Sequence, residues 1–166
     1  MFFFNLENQE KFIKNQSDNN VLNRRGSDLV GPAAKRIVSI VDDEVDITEL
    51  FYDALCSKID GISVVSFNDP VIALEHFIAN KKTYALVISD LRMPGLNGLE
   101  LLKKVKRLNP KIRTMLISAY EVENDPVFRG YVKEGVIDVF IHKPMTTECL
   151  CKEVDNQIQN YKLKNK

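Results

Sequence analysis

Asp42 and Asp43 follow an apolar run, Ile37-Val38-Ser39-Ile40-Val41, and Asp90 follows a second one, Ala85-Leu86-Val87-Ile88-Ser89. If the two runs are neighbouring parallel strands, these three carboxylates meet at one edge of a sheet. Crowded carboxylates repel one another unless cations are present, so the arrangement suits a divalent metal and chemistry at a carboxylate oxygen. Reactive or polar side chains close two further apolar runs: Ser118 after 112–117, and Lys143 just after 136–141.

The segments that must position these residues alternate from Arg36 onward. Short apolar runs at 37–41, 62–67, 84–89, 112–117 and 136–141 predict strands. Ile47, Leu50, Phe51, Ala54 and Leu55 make one helical face, and Val71, Leu74, Phe77 and Ile78 make a second behind the starter Asn68-Asp69-Pro70. Leu99, Leu102, Val105 and Leu108 make a third. A fourth helix opens at Asn124-Asp125-Pro126 but is short, and its Gly130 costs about 1 kcal/mol relative to alanine. It is expected to be the loosest element. The fifth, opened by Thr146 or Thr147 with Glu148 in its first turn, puts Leu150, Val154, Ile158 and Tyr161 on one side.

Five βα units with right-handed crossovers predict an α/β fold, a doubly wound five-stranded parallel sheet with helices on both faces. Ligand sites in such sheets lie at the carboxyl ends of the strands, which gathers Asp42, Asp43, Asp90, Ser118 and Lys143 around one pocket. Periodicity alone leaves the strand order open.

At 166 residues, with 45% apolar residues and no tryptophan, the chain has the size of one domain with a single well-buried core. Its 23 basic and 23 acidic residues cancel, so no global field draws it to nucleic acid or to an anionic membrane. Cys56, Cys149 and Cys151 lack the paired spacing of a structural zinc site and read as reduced thiols of a cytoplasmic protein. The apolar start Met1-Phe2-Phe3-Phe4 has no basic region before it and fails as a signal peptide. No run approaches the roughly 18 to 20 apolar residues that span a bilayer. Residues 1–35, rich in Asn, Gln and Ser and closing on Gly31-Pro32, are expected to form a disordered or partly helical arm ahead of a domain at 36–163.

From Arg36 to Tyr161 the chain resembles the receiver domain of two-component response regulators. The resemblance rests on Val41-Asp42-Asp43-Glu44, Asp90-Leu91-Arg92-Met93-Pro94-Gly95-Leu96-Asn97-Gly98, Ile117-Ser118-Ala119 and His142-Lys143-Pro144, which occur in that order. It implies a flavodoxin-like strand order, 2-1-3-4-5, and a cis Lys143-Pro144 bond. It also implies that Asp90 accepts a phosphoryl group from a histidine kinase, with Ser118 and Lys143 contacting the phosphoryl oxygens. Mg²⁺, replaceable by Mn²⁺, would be held by Asp43, Asp90 and the main-chain carbonyl of Arg92, with Asp42 acting through water. The one local departure is Val136 after Gly135, where the family usually carries alanine.

The resemblance further makes Ser118 and Phe140 the switch pair that moves on phosphorylation, and puts Arg92 and Tyr120 beside the path of the hydrolytic water. Rival chemistries fit less well. No glycine-rich phosphate loop follows the first strand, which disfavours a flavin or dinucleotide site. Arg92 stands where a haloacid-dehalogenase-type phosphatase would need an acid. His76 and His142 read as surface or loop residues rather than ligands.

The expectation is a cytoplasmic signalling switch, catalysing only its own phosphorylation and dephosphorylation, with a histidine kinase and a downstream effector as partners. It carries no DNA-binding or membrane segment and is a monomer, with room for a phosphorylation-dependent dimer through the fourth helix, fifth strand and fifth helix. A relay intermediate that passes the group to a histidine phosphotransfer protein, and a phosphorylation-independent interaction module, are the alternatives. A longer parent chain with an effector domain also stays open.

Overall fold

The structure, a computed structural model, describes residues 35–165. The expected arm, apart from Lys35, lies outside them. Five strands and five helices alternate: β1 (Arg36–Val41), α1 (Val45–Lys58), β2 (Ile62–Phe67), α2 (Pro70–Asn80), β3 (Tyr84–Asp90), α3 (Gly98–Leu108), β4 (Arg113–Ser118), α4 (Pro126–Lys133), β5 (Val139–His142) and α5 (Thr147–Lys164). The strands form one parallel sheet in the order β2-β1-β3-β4-β5. Both the doubly wound class and the strand order are as expected.

Side chains alternate across the sheet and divide the core in two. Val38, Ile40, Leu86, Ile88, Met115 and Ile117 pack with Phe51 and Leu55 of α1 and Leu150, Val154, Ile158 and Tyr161 of α5. On the opposite face Val41, Val87 and Leu116 pack with Phe77 of α2, Leu101, Leu102 and Val105 of α3, and Phe128 of α4. The central strand β3 is buried along Tyr84–Ser89, as a parallel strand covered on both faces must be.

Helix starts follow the capping chemistry of the sequence. The Asp69 carboxylate accepts from the main-chain N–H groups of Val71 and Ile72, Asp125 does the same for Val127 and Phe128, and a proline follows each cap. Asn97 caps α3 and Thr146 caps α5. Helix α1 lacks a side-chain cap at Glu44, whose N–H is instead satisfied by Asp42 Oδ1 at 3.0 Å.

Several expectations need correction. Leu50, Val71, Ile78 and Leu108 lie on the exposed sides of their helices. The true seams use Thr48, Ala73 and Leu101 instead: Thr48 and Ala73 are small enough for close approach, and at Leu101 period alone does not locate the edge of the face. The fifth strand starts at Val139 rather than 136. Val136 and Ile137 are buried ahead of it, after Gly135 turns the chain at φ 72°. His76 is no loop residue: it sits in α2, half-buried, with Nδ1 2.7 Å from the Tyr84 hydroxyl, and burial holds its pKa below the usual histidine value. The fourth helix is the shortest of the five, with Phe128 its one buried residue.

Candidate functional site

The β1–β3 register pairs Val41 with Ser89, so Asp42 and Asp90 leave adjacent strands side by side at their carboxyl ends. Between them lies Lys143, whose Nζ is 2.8 Å from Asp42 Oδ2 and 2.8 Å from Asp90 Oδ1. All three side chains are largely shielded from water, at 5%, 13% and 18% exposure for Asp42, Asp90 and Lys143, so the charges act through a weakly screening medium. Burial raises the Asp90 pKa, Lys143 pulls it back, and the charge of Asp42 raises it again. Burial also works against the Lys143 charge, but its two carboxylate partners hold its pKa above the ordinary lysine value. The ammonium therefore stays charged and divides itself between two acids.

The loop after β3 is built around the same carboxylate. Asp90 Oδ2 accepts from the Arg92 N–H at 2.8 Å, and Gly95, at φ 82°, lets the chain turn back into α3. Gly98 opens that helix against the sheet. Its N–H donates to the Leu91 carbonyl at 2.9 Å, and a Cβ at this position would overlap the main-chain carbonyl of Asp90. Gly98→Ala is expected to cost about 2 kcal/mol and to lower the melting temperature by roughly 5 °C. Thermal unfolding followed by circular dichroism checks this, and an unchanged midpoint would show that α3 shifts without penalty.

Ser118 ends β4 one residue beyond Ile117, the register partner of Asp90. It is fully buried, and its Oγ accepts from the Tyr120 N–H at 3.0 Å. The adjoining backbone is tied to β5, since the Lys143 N–H donates to the Ser118 carbonyl at 2.8 Å. The Lys143-Pro144 bond is cis, as expected. Phe140 is half-buried and meets Phe128 of α4 edge to face at 5.1 Å. Arg92 and Tyr120, expected separately beside the pocket, form a unit: the guanidinium lies over the phenol ring, 3.6 Å from its centre.

The acids are arranged differently from the three-carboxylate convergence expected. Among the described residues no three potential ligand side chains already form a cation cage. The physical reason is Lys143, which supplies the compensating charge between Asp42 and Asp90, while Asp43 is exposed and unpaired among those residues. The donor set nonetheless fits a hard cation, since three carboxylates and the Arg92 main-chain carbonyl are all oxygen ligands and one ammonium leaves negative charge uncompensated.

Sequence reasoning missed two supports, one at the pocket and one of the sheet far from it. Asn68 Nδ2 donates to the Asp42 carbonyl at 2.8 Å and to Thr48 Oγ1 at 2.9 Å, binding the β1–α1 corner to the end of β2. Asp138, at the opposite end of the sheet, accepts from Lys106 Nζ at 2.6 Å, from an Arg113 guanidinium nitrogen at 2.7 Å, and from Thr114 N and Oγ1 at 2.9 and 3.1 Å. Asn68 follows a strand end and could have been flagged there; nothing local marks Asp138.

A 2-1-3-4-5 parallel sheet with acids, a hydroxyl and a lysine at its carboxyl edge defines a class of phosphoryl-accepting signalling domains. The chain belongs to the response regulator receiver domain family, whose sequence pattern matches residues 38–155. Receiver domains are phosphorylation-activated signalling switches, and this one has both the family's sequence and its fold.

Among curated relatives, the DNA-binding transcriptional regulator NtrC of Escherichia coli K12 is 30% identical over 125 residues, 75% of this chain and 25% of NtrC. The C4-dicarboxylate transport transcriptional regulatory protein DctD of Rhizobium meliloti is 31% identical over 113 residues, 68% of this chain and 23% of DctD. The chain thus spans about a quarter of the length of these relatives. A receiver domain structure from Clostridium thermocellum, 23% identical, superimposes with a TM-score of 0.68 over 77% of this chain and 98% of its own. The response regulator domain of Thermotoga maritima CheB, 26% identical, gives 0.61 over 76% and 96%. Among the described residues no helix is long and apolar enough to cross a membrane.

Proposed function

We propose that Asp90 is the phosphoacceptor and that the domain passes its state to a partner protein by changing its surface. The observation that carries this reading is the Lys143 ammonium shared between Asp90 and Asp42, at the carboxyl ends of β1 and β3. An oxygen of Asp90 attacks the phosphorus of a histidine kinase's phosphohistidine, forming an O–P bond as the N–P bond breaks. Lys143 is placed to follow the charge, from the resting carboxylate to a phosphoryl oxygen, and Ser118 offers its hydroxyl to another. Asp43, Asp90 and the Arg92 carbonyl, with Asp42 through water, would hold Mg²⁺, which gathers and neutralises the phosphoryl oxygens when bound.

Turning the Ser118 hydroxyl toward the phosphoryl group releases space beside Phe140. Its ring then leaves its place against Phe128, and the surface of α4, β5 and α5 changes. The test is beryllofluoride with Mg²⁺: resonances of Phe140 and Phe128 should move in the wild type and stay in Asp90→Ala. Movement in both proteins would disconnect the switch from Asp90.

The stacked Arg92 and Tyr120 are expected to slow loss of the phosphoryl group by crowding the approach of water. Either Arg92→Ala or Tyr120→Ala removes the stack, so each should shorten the phospho-form's lifetime by about threefold to tenfold. Decay followed by intact mass checks it; lifetimes equal to the wild type would remove the crowding argument.

A further inference from the structure

Residues 103–113 carry Lys103, Lys104, Lys106, Arg107, Lys111 and Arg113 with no acid among them, in a chain whose net charge is zero. Lys103, Lys106 and Arg107 stand at i, i+3 and i+4, on one face of α3. That face borders a cavity of about 390 Å³ closed on its other side by Glu134, Gly135 and Val136. A second cavity of about 260 Å³ adjoins it, sharing Lys103 and Glu134, and is walled by Pro126, Val127 and Tyr131 of α4. Together they make a solvent-open groove between α3 and α4, cationic at one end and apolar at the other.

The three cations differ in what holds them. Lys106 is spoken for by Asp138 and by the Ile112 carbonyl. Lys103 lies over the Tyr131 ring, 4.9 Å from its centre. Arg107 is exposed and has no hydrogen bond or ion pair among the described residues. The helix dipole favours cations in the last turn of α3, which accounts for Lys106 and Arg107 as surface charges. It does not account for Lys103, nor for the apolar wall beside it, where Val127 is 60% exposed.

We propose that this groove receives an acidic segment of a partner protein, its carboxylates on Lys103 and Arg107 and an apolar side chain against Val127 and Tyr131. One helical turn separates the two cations, about 5–6 Å, and same-side residues of an extended chain repeat at about 6.6–7 Å, so alternate acidic residues reach both. The groove is open along its length and offers one aromatic ring rather than two facing walls, which suits a peptide better than an enclosed small ligand. Glu134, the one acid along the groove walls, selects against a basic occupant and sets the segment's acids toward α3. The surface does not require phosphorylation of Asp90 and stands apart from that reading.

The test titrates the isotope-labelled full chain with a capped decapeptide of alternating Glu and Ser ending in Leu-Phe. Controls are the same peptide with Gln for Glu, and inorganic pyrophosphate. The Glu peptide should shift resonances of Lys103, Arg107, Val127 and Tyr131, and K103E/R107E and V127D should each weaken it by about tenfold. Amide spectra confirm that the variants are folded, and phosphoryl uptake at Asp90 is measured by mass on the same samples. Equal binding of the Gln peptide, shifts confined to other faces, no binding, or a site filled by pyrophosphate and not by the peptide would each overturn the proposal. Loss of uptake at Asp90 with peptide binding intact would overturn the phosphoacceptor reading alone.

Discussion

Asp90→Ala should take up no phosphoryl group from acetyl phosphate and Mg²⁺, while the wild type should gain one per chain by intact mass. That is the outcome expected if Asp90 is the nucleophile, since Asp42 is committed to Lys143 and to the Glu44 N–H and cannot replace it. Lys143→Ala should retain the nucleophile but slow uptake by about a hundredfold, the usual effect of losing one preorganised charge at a reacting oxygen. A modified Asp90→Ala protein would refute the assignment. The pH dependence has a definite sign. Without a bound cation, burial lifts the Asp90 pKa above the usual carboxylate value. The same raised pKa means that the folded state binds this proton more tightly than the unfolded chain. Its contribution to stability is full below the unfolded-state pKa and is lost as pH rises through the folded-state value, so Asp90→Ala should be no less stable than the wild type at neutral pH.

Asp138→Ala is expected to be the most damaging substitution for stability, costing about 3–5 kcal/mol. The residue lies far from the pocket and carries no chemistry in the proposed reaction. Its carboxylate joins Lys106 of α3 to Arg113 and Thr114 of β4, and Arg113 Nε reaches Gln157 of α5 at 2.7 Å. At 12% exposure for Asp138, 14% for Lys106 and 10% for Arg113, removing the acid strands two cations that water reaches poorly. Burial already presses the Lys106 pKa below the ordinary lysine value, against the pull of Asp138. Asp138→Asn, which keeps an acceptor, should lose less. Denaturant unfolding decides it: a loss under about 1 kcal/mol for the alanine variant would show that the cations find other partners.

The site was more legible than the supports beneath it. Asp42, Asp90, Ser118 and Lys143 each follow an apolar run, and a parallel sheet brings such positions to one edge whatever the details of packing. The helix starts were equally readable, because Asp69-Pro70 and Asp125-Pro126 encode their own caps. Helix faces were harder. Val71 and Ile78 have the right character and nearly the right spacing, but Ala73 and Phe77 form the seam. The Asp138 network could not be anticipated, since its partners come from three other elements and meet only in the fold. The Lys143 bridge is equally hidden, since Lys143 lies 101 residues from Asp42 and 53 from Asp90 and only the fold sets its ammonium between them.

If Asp90 takes up the phosphoryl group as proposed, Gly98 gives it an unyielding seat. With no side chain between the first turn of α3 and the backbone of Asp90, the helix backs that residue directly. Displacement on phosphorylation would then fall to the opposite lip, where the segment from Ser118 to Phe128 crosses to a helix with a single buried anchor. One jaw of the pocket would then work as an anvil and the other as the moving part, giving the response a direction before any phosphate arrives.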